Sequence, residues 1–161
     1  MNSFKKNKNK IVMFITVAFF MIFSSGCSII YFKSPKVSEI VTSIKKDTDL
    51  SSMNEGNKSK LRKTYGISYR KLEEFAFYSP KTNMEANEIL ILKLKDQQDM
   101  ESIKEQVEER IEKQANTFKD YAPKQYELLE SHILDIKGNY LILVVSKNAD
   151  KIMKDINNSF K

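Results

Sequence analysis

The chain contains few residues whose type and spacing suit catalysis. Only one of its 161 residues is a histidine, His132, which follows Ser131 at the start of an apolar segment. A serine hydrolase needs a nucleophile beside a base and an orienting acid, and no serine here has the flanking glycines of a nucleophile elbow. We therefore interpret His132 as an ordinary residue at a strand edge, and we expect no catalytic residue and no enzymatic activity.

The best carboxylate pair is Glu85 and Glu88, in the segment MEANEI that leads into an apolar run. Such a carboxylate could accept a bond from Lys93 or Arg110, bind a cationic ligand, or act with its neighbour as the acid–base pair of a hydrolase. A structural ion pair or a solvated strand edge explains the same residues. We take five residues as a candidate ligand or ion-pair site: Glu85, Glu88, Lys93, Arg110 and Tyr140. We expect the tyrosine side chain to line a pocket or to be part of the core.

The metal-binding possibilities are poor. Structural zinc sites are built from cysteine and histidine, and this chain has one of each. The acidic segment DTDLSSMNEG at residues 47–56 lacks the spacing of the known calcium loop. We expect no metal site and no cofactor.

The only cysteine, Cys27, lies where an apolar run breaks. A lysine-rich start at residues 1–10 precedes thirteen largely apolar residues, 11–23, and then Ser24-Ser25-Gly26. These are the basic, apolar and small-residue parts of an export signal. The Gly26-Cys27 junction resembles a bacterial lipobox, in which the peptide is cut before the cysteine and its sulfur receives a diacylglyceryl group. One position departs from that pattern, because Ser24 stands where leucine is usual.

An uncleaved membrane helix is the alternative for this segment. Residues 11–32 would span about 33 Å at ~1.5 Å per residue, which suffices for the hydrocarbon core. The polar break at residues 24–28 and the cysteine within it favour the lipoprotein. Both interpretations place the lysine-rich start in the cytoplasm and the following domain outside. We expect a signal peptide at residues 1–26, a lipidated tether at 27–33, and one domain at 34–161.

The formal charge of +6 does not indicate a nucleic-acid partner. Four of the 27 basic residues precede Cys27 and all 21 acidic residues follow it, so the exported part carries a net charge of only +2. Its lysines alternate with glutamates along predicted helices, and arginines are few. This pattern is typical of a solvated surface.

The elements that must position the candidate residues follow from apolar periodicity. Ser34-Pro35 predicts the start of a helix with an apolar stripe at Val37, Ile40, Val41 and Ile44. A polar loop at residues 47–59 precedes a short helix closed by Gly66. Alternation predicts strands at residues 72–79 and 88–95, a long helix with its stripe from Met100 to Phe118 follows, and PKQYELLE adds a short helical piece.

The clearest local signal is HILDIKGNYLILVV, in which two apolar runs flank Gly138-Asn139. Glycine supplies the positive φ that a two-residue hairpin turn requires. A terminal helix begins near Asn148. The predicted fold is α+β, with a four-stranded antiparallel sheet of two hairpins packed against the long central helix and the N- and C-terminal helices, all on one face.

From Leu61 onward the chain resembles a bacterial family of unknown function, the one numbered 4358 among such domains. The segments LRKTYGI, NEILILK, EERIEKQ, YAPKQYELLE and KGNYLILVVS carry the resemblance in order. It implies a small lipoprotein of a Gram-positive bacterium and no particular activity.

These observations together predict a lipoprotein anchored to the extracytoplasmic face of the cell membrane through Cys27. We expect it to act as a binding or interaction module, with an envelope protein or a small ligand as its partner. The alternatives are a carboxylate-dependent hydrolase and a single-pass membrane protein with the same exported domain. An enzyme or ligand binder requires a concave pocket with converging polar groups, whereas an interaction module requires an exposed apolar patch.

Overall fold

The computed structural model describes residues 33–161, which form five α-helices, two single-turn 3₁₀ helices (Tyr69–Lys71 and Gln97–Asp99) and one antiparallel sheet of five strands. The helices are α1 (Val37–Asp47), α2 (Lys58–Tyr65), α3 (Met100–Phe118), α4 (Pro123–Glu130) and α5 (Ala149–Ser159). The strands are β1 (Met53–Glu55), β2 (Leu72–Pro80), β3 (Glu88–Leu94), β4 (Ile133–Lys137) and β5 (Tyr140–Val145). The predicted α+β class is confirmed. The expected signal peptide, Cys27 and nearly all of the expected tether lie outside the described residues.

The sheet has one strand more than predicted. Its order is β1-β2-β3-β5-β4, and every neighbouring pair is antiparallel. The extra strand, β1, lies within the segment predicted to be a loop. It has only three residues, which pair with the end of β2. A strand this short and largely polar shows no alternation of apolar and polar residues. It forms because it pairs with β2 at the edge of the sheet.

The two hairpins form as predicted. Strands β2 and β3 pair through the connection at residues 81–87, and β4 and β5 pair through Gly138-Asn139, where Gly138 has φ +57°. The side-chain amide of Asn139 donates to the carbonyl of Leu94, and the Leu94 amide donates to the Asn139 carbonyl, so this turn is bound to the end of β3. The two hairpins join through β3 and β5, in a register that places Glu88 opposite Val145 and Lys93 opposite Tyr140.

Helices cover both faces of the sheet, and the expectation of a single covered face was wrong. On one face α2, α3 and α4 pack on side chains such as Leu90, Leu92 and Leu143. On the other, α1 and α5 pack on Ile89, Ile91 and Ile142 and their neighbours. All seven residues of β3 and all six of β5 are buried. Two apolar faces on the central strands require a layer of helices on each side.

Helix α1 begins two residues later than predicted. The hydroxyl of Ser34 lies 2.9 Å from the Tyr140 hydroxyl, which donates to the Pro35 carbonyl at 2.6 Å. These residues are therefore bound to β5 instead of forming the first helical turn. The carboxylate of Glu74 accepts from the Val37 amide at 2.7 Å and so satisfies one of the free N–H groups at the start of the helix.

Within residues 33–161 no helix combines the length and the apolar character that crossing a bilayer requires.

Candidate functional site

A cleft of about 860 Å³ opens on the sheet face that α2 and α3 cover. It lies between these two helices, the end of β2 and the connection that follows it. Five cationic side chains and two carboxylates line it, namely Lys60, Lys63, Lys81, Arg110 and Lys113 with Glu85 and Glu88. Hydroxyl and amide side chains fill much of the remaining wall. Polar groups thus converge on one concave surface.

Glu88 forms the floor of this cleft and is only 3% exposed. It is the first residue of β3, on the same face as Leu90 and Leu92, so the strand directs it toward α2 and α3. The Tyr65 hydroxyl, at the end of α2, donates to its Oε1. Arg110 of α3 is the nearest cation, with Nη2 3.9 Å from Oε2.

The environment of Glu88 disfavours its charge. Burial raises the pKa of Glu88 to about 7, although the positive charges of Arg110 and Lys60 lower it. Arg110 compensates incompletely because its Nη1 donates to the Gln114 amide oxygen at 2.6 Å while its ion pair with Glu88 is long. The carboxyl group can therefore gain or lose a proton near neutral pH.

Residues that the sequence did not single out complete the cleft. Lys60 of α2 donates to the Ser79 hydroxyl at 2.5 Å, and Ser79 is itself buried near the end of β2. The pairing of Tyr78 with Ile89 sets Ser79 beside Glu88. Alternation along β2 places Ser79 on the Phe77 face, but the hairpin register that brings it to Glu88 is not readable from the periodicity.

The predicted site residues divide between the two faces of the sheet. Glu85, Glu88 and Arg110 meet at the cleft, where Glu85 is exposed and makes no ion pair with another described residue. Lys93 and Tyr140 lie on the opposite face, because Lys93 is five positions after Glu88 and side chains an odd number of positions apart on a strand point to opposite faces.

On that opposite face, Lys93 and Tyr140 form a closed polar cluster. Lys93 Nζ donates to Glu73 at 2.9 Å and lies 5.6 Å from the centre of the Tyr140 ring. The bond to Glu73 holds the pKa of Lys93 above its usual value. The Tyr140 ring packs edge-on against Phe160 at 5.0 Å. With its hydroxyl bound to the Ser34-Pro35 segment, Tyr140 fastens the start of the domain to β5.

The remaining chemical candidates stay isolated. The ring of His132 contacts the Leu129 carbonyl, in a contact local to the end of α4. In the described part of the chain, no group of three or more potential metal-ligating side chains comes together.

A second concave surface, of about 720 Å³, lies on the α1 side of β2. Its charged lining is balanced, with three lysines (Lys45, Lys58, Lys95) and three glutamates (Glu55, Glu73, Glu74). Two of these glutamates already have partners, since Glu73 binds Lys93 and Glu74 binds the start of α1. The cleft at Glu88 is the stronger candidate because it combines a buried carboxyl group with an excess of positive charge.

Comparison with known proteins adds one finding. A family model described as a domain of unknown function (DUF4358) matches residues 46–146, in agreement with the resemblance noted in the sequence. The matched span includes every residue named above as lining the cleft, whereas α5 and most of α1 lie outside it. No curated protein and no solved structure matches the chain.

Proposed function

We propose that this chain, which belongs to the DUF4358 family, is an extracytoplasmic lipoprotein whose domain binds a small ligand in the cleft at Glu88. The observation that carries the proposal is a buried carboxyl group with few partners at the floor of a concave, polar surface. Perturbed ionisable groups in clefts are typical of functional sites.

Binding accounts for this site better than hydrolysis does. A carboxylate pair that cleaves a substrate needs two groups held in defined geometry across the reacting bond. Glu88 is held by Tyr65 and Arg110, but Glu85 is exposed and has no polar partner among the described residues. A single buried carboxyl group, held by a tyrosine hydroxyl and an arginine, is better suited to binding a ligand than to cleaving one.

A small ligand also accounts for the surface better than a protein partner does. The described residues include only four exposed large apolar side chains, Tyr69, Met84, Tyr121 and Ile136, and Tyr121 lines the cleft itself. Docking of a protein usually requires a contiguous apolar patch. The cleft, in contrast, gathers its polar groups in one place.

The proposed location rests on residues 1–27. The basic start, the apolar run and the small residues before Cys27 have the order of an export signal, and the lone thiol is placed for lipid attachment. Two acyl chains suffice for stable attachment, unlike one. The described domain begins at the Tyr140 end of the sheet, whereas Glu88 lies five residues away along β3, about 17 Å at ~3.3 Å per residue. Within the described domain, the cleft therefore lies at the opposite end of β3 from the segment that begins the domain.

The anchor is tested by Cys27→Ala. We expect this variant to lose labelling by a fatty-acid probe in cells and to keep the mass of the full precursor, while the wild-type chain is labelled and shortened by 26 residues. A wild-type chain that keeps residues 1–26 and carries no lipid would overturn the lipoprotein proposal in favour of the uncleaved helix.

The cleft is tested by filling it. Thr117 is an exposed residue of α3 that lines the cleft, and its neighbour Asn116 is exposed but does not line it. A thermal-shift screen of anionic, neutral and cationic metabolites against the full chain in detergent should find stabilising compounds. Their effect should disappear in Thr117→Trp and persist in Asn116→Trp. Compounds that stabilise both variants equally, or no stabilising compound at all, would contradict ligand binding at this cleft.

A further inference from the structure

The cleft has an unbalanced charge that its own side chains do not neutralise. Of its five cationic side chains, only Arg110 forms an ion pair with a described residue, at 3.9 Å. Lys63, Lys81 and Lys113 form none within the described part of the chain. The concave surface on the other side of the sheet, with equal numbers of lysines and glutamates, has no such excess.

The neutral part of the wall offers a second kind of contact. Asparagine, serine and threonine side chains from β1, α2 and the 81–87 connection line the cleft between the lysines, among them Asn54, Ser59, Thr82 and Asn83. Such side chains both donate and accept hydrogen bonds. They match a ligand that has hydroxyl groups beside its charged group.

We propose that the ligand is an anion that carries a phosphate or carboxylate group together with hydroxyls, such as a polyol phosphate or a sugar acid. This inference rests on the proposed function and names the chemical class that the cleft selects. Lysine and arginine around a concave surface attract phosphate and carboxylate groups and disfavour cations.

Glu88 gives this binding a dependence on pH. The groups that face it are Tyr65 and Lys60 from α2, Arg110 from α3 and Ser79 from β2. An anion bound beside the Glu88 carboxyl group repels its ionised form, so binding is accompanied by proton uptake wherever Glu88 would otherwise be charged. The affinity of the wild-type chain relative to that of Glu88→Gln should therefore fall as the pH rises from 6 to 8, by no more than tenfold per pH unit, because the ligand's own ionisation affects both chains alike.

The experiment is calorimetry on the full chain in a non-ionic detergent with matched probes. Glycerol 3-phosphate is the anionic probe. Three compounds are compared with it: inorganic phosphate, which has no carbon-bound hydroxyl groups, glycerol, which is uncharged, and choline, which has a hydroxyl group and a positive charge. Dihexanoyl phosphatidylglycerol presents the same headgroup as a lipid and distinguishes a free ligand from a lipid source. We expect glycerol 3-phosphate to bind more tightly than inorganic phosphate, and glycerol and choline not to bind.

Variants connect the signal to the cleft. Arg110→Met and Lys63→Met should each weaken binding of glycerol 3-phosphate at least fivefold. Lys104→Met should not, because Lys104 lies on the same helix outside the cleft with Glu101 and Glu108 as its partners. Glu88→Gln stays neutral from pH 6 to 8 and is the reference against which the pH dependence due to Glu88 is measured; a ratio of the two affinities that does not change with pH would overturn the role of Glu88. If Arg110→Met fails to fold, Arg110→Lys is tested in its place. This variant keeps the positive charge and should retain most of the affinity.

The two proposals fail in different ways. Binding of glycerol or choline that Thr117→Trp abolishes would keep the cleft as a binding site and overturn its selection of anions. Equal binding of inorganic phosphate and glycerol 3-phosphate would overturn the role of the hydroxyls. Anion binding unchanged by Thr117→Trp would place the anion site outside this cleft and overturn the proposed ligand class. No binding of any probe would also overturn that class, while the metabolite screen decides separately whether the cleft binds a ligand.

Discussion

Strand β3 carries two buried ionisable side chains, Glu88 at its first position and Lys93 five residues later, and their surroundings differ. Both are less than a tenth exposed. Lys93 lies on the face covered by α1 and α5, and Glu88 lies on the face covered by α2 and α3. The same strand therefore provides two polar sites whose side chains have little exposed surface and whose partners differ.

The Lys93 site is complete by itself. Glu73 accepts from the ammonium group at 2.9 Å, the Tyr140 ring lies beside it, and the Tyr140 hydroxyl is bound in turn to the Ser34-Pro35 segment. The pKa of Lys93 is raised chiefly by the bond to Glu73, which means that the domain favours its charged form. Glu73 is half exposed, so water solvates the pair on one side.

The Glu88 site is incomplete. One tyrosine hydroxyl and one distant arginine do not offset the loss of water, so the pKa of Glu88 is also raised, but here the domain disfavours the charged form. The open cleft beside it leaves room for further partners. The comparison shows that a buried ionisable group with near partners keeps its charged form favoured, whereas one that is short of partners is shifted toward its neutral form.

The largest expected effect belongs to the complete site. Tyr140→Ala removes a ring that is 2% exposed and packs on Phe160, and it also removes both hydroxyl contacts to the start of the domain. We expect the free energy of unfolding to fall by about 4 kcal/mol, the usual cost of truncating a buried aromatic side chain. Urea unfolding of the full chain in detergent, followed by circular dichroism, measures this change.

Tyr140→Phe is the matched control, because it keeps the ring and should cost about 1–2 kcal/mol for the lost hydroxyl contacts. Should the two variants be equally stable, the ring would not be the stabilising part of this cluster, and the distinction between the two sites would weaken.

The next effect is the pH dependence of the incomplete site. A carboxyl group with a raised pKa contributes stability that is fully present below its unfolded pKa and is lost as the pH rises through its folded pKa. With a folded pKa of about 7, Glu88 should lower the free energy of unfolding by about 3 kcal/mol between pH 4.5 and pH 8. Glu88→Gln, which stays neutral, should not show this loss.

The measurement is the difference in unfolding free energy between Glu88→Gln and the wild-type chain from pH 4.5 to 8, since the other titrating groups cancel in that difference. Glu85→Gln serves as the control on an exposed carboxylate of the same cleft. A difference that stays constant with pH would mean that the pKa of Glu88 is the same in the folded and the unfolded chain, so that the domain does not disfavour its charge.

Periodicity alone predicted most of the fold. The long helix, both hairpins and the terminal helix follow from spacings of three or four and of two, because each element buries one continuous stripe. The edge strand β1 could not be predicted this way, since Asn54 and Glu55 are exposed and form a strand only through pairing with β2. The layer of helices on the second face could have been anticipated from β5, which is apolar at every position.

The candidate site was harder to predict. Glu88 was identifiable as an acid at the start of an apolar strand, and alternation alone separates it from Lys93. The hydrogen bond from Tyr65 to Glu88 could not be predicted, because the contact between the two side chains depends on how α2 packs across the sheet. Lys60 and Ser79 come together for the same reason. Contacts between elements depend on packing angles and register, which apolar spacing does not encode.

The smallest expected effect is the loss of stability on removing the cation of each site, Lys93 or Arg110. Lys93→Met leaves Glu73 half exposed and free to be hydrated, so the free energy of unfolding should fall by only about 1 kcal/mol at any pH from 5 to 8. Arg110→Met leaves a buried carboxyl group with a more distant positive charge, so the pKa of Glu88 should rise above 7. Carbon-13 NMR of the glutamate carboxyl groups measures that shift, with Lys104→Met as the control on the same helix.

Because a protonated Glu88 needs no cation, Arg110→Met should cost little stability at pH 5 and more at pH 8, whereas the cost of Lys93→Met should not change with pH. If both costs vary with pH alike, the long Glu88–Arg110 contact is as complete an ion pair as that of Lys93 with Glu73.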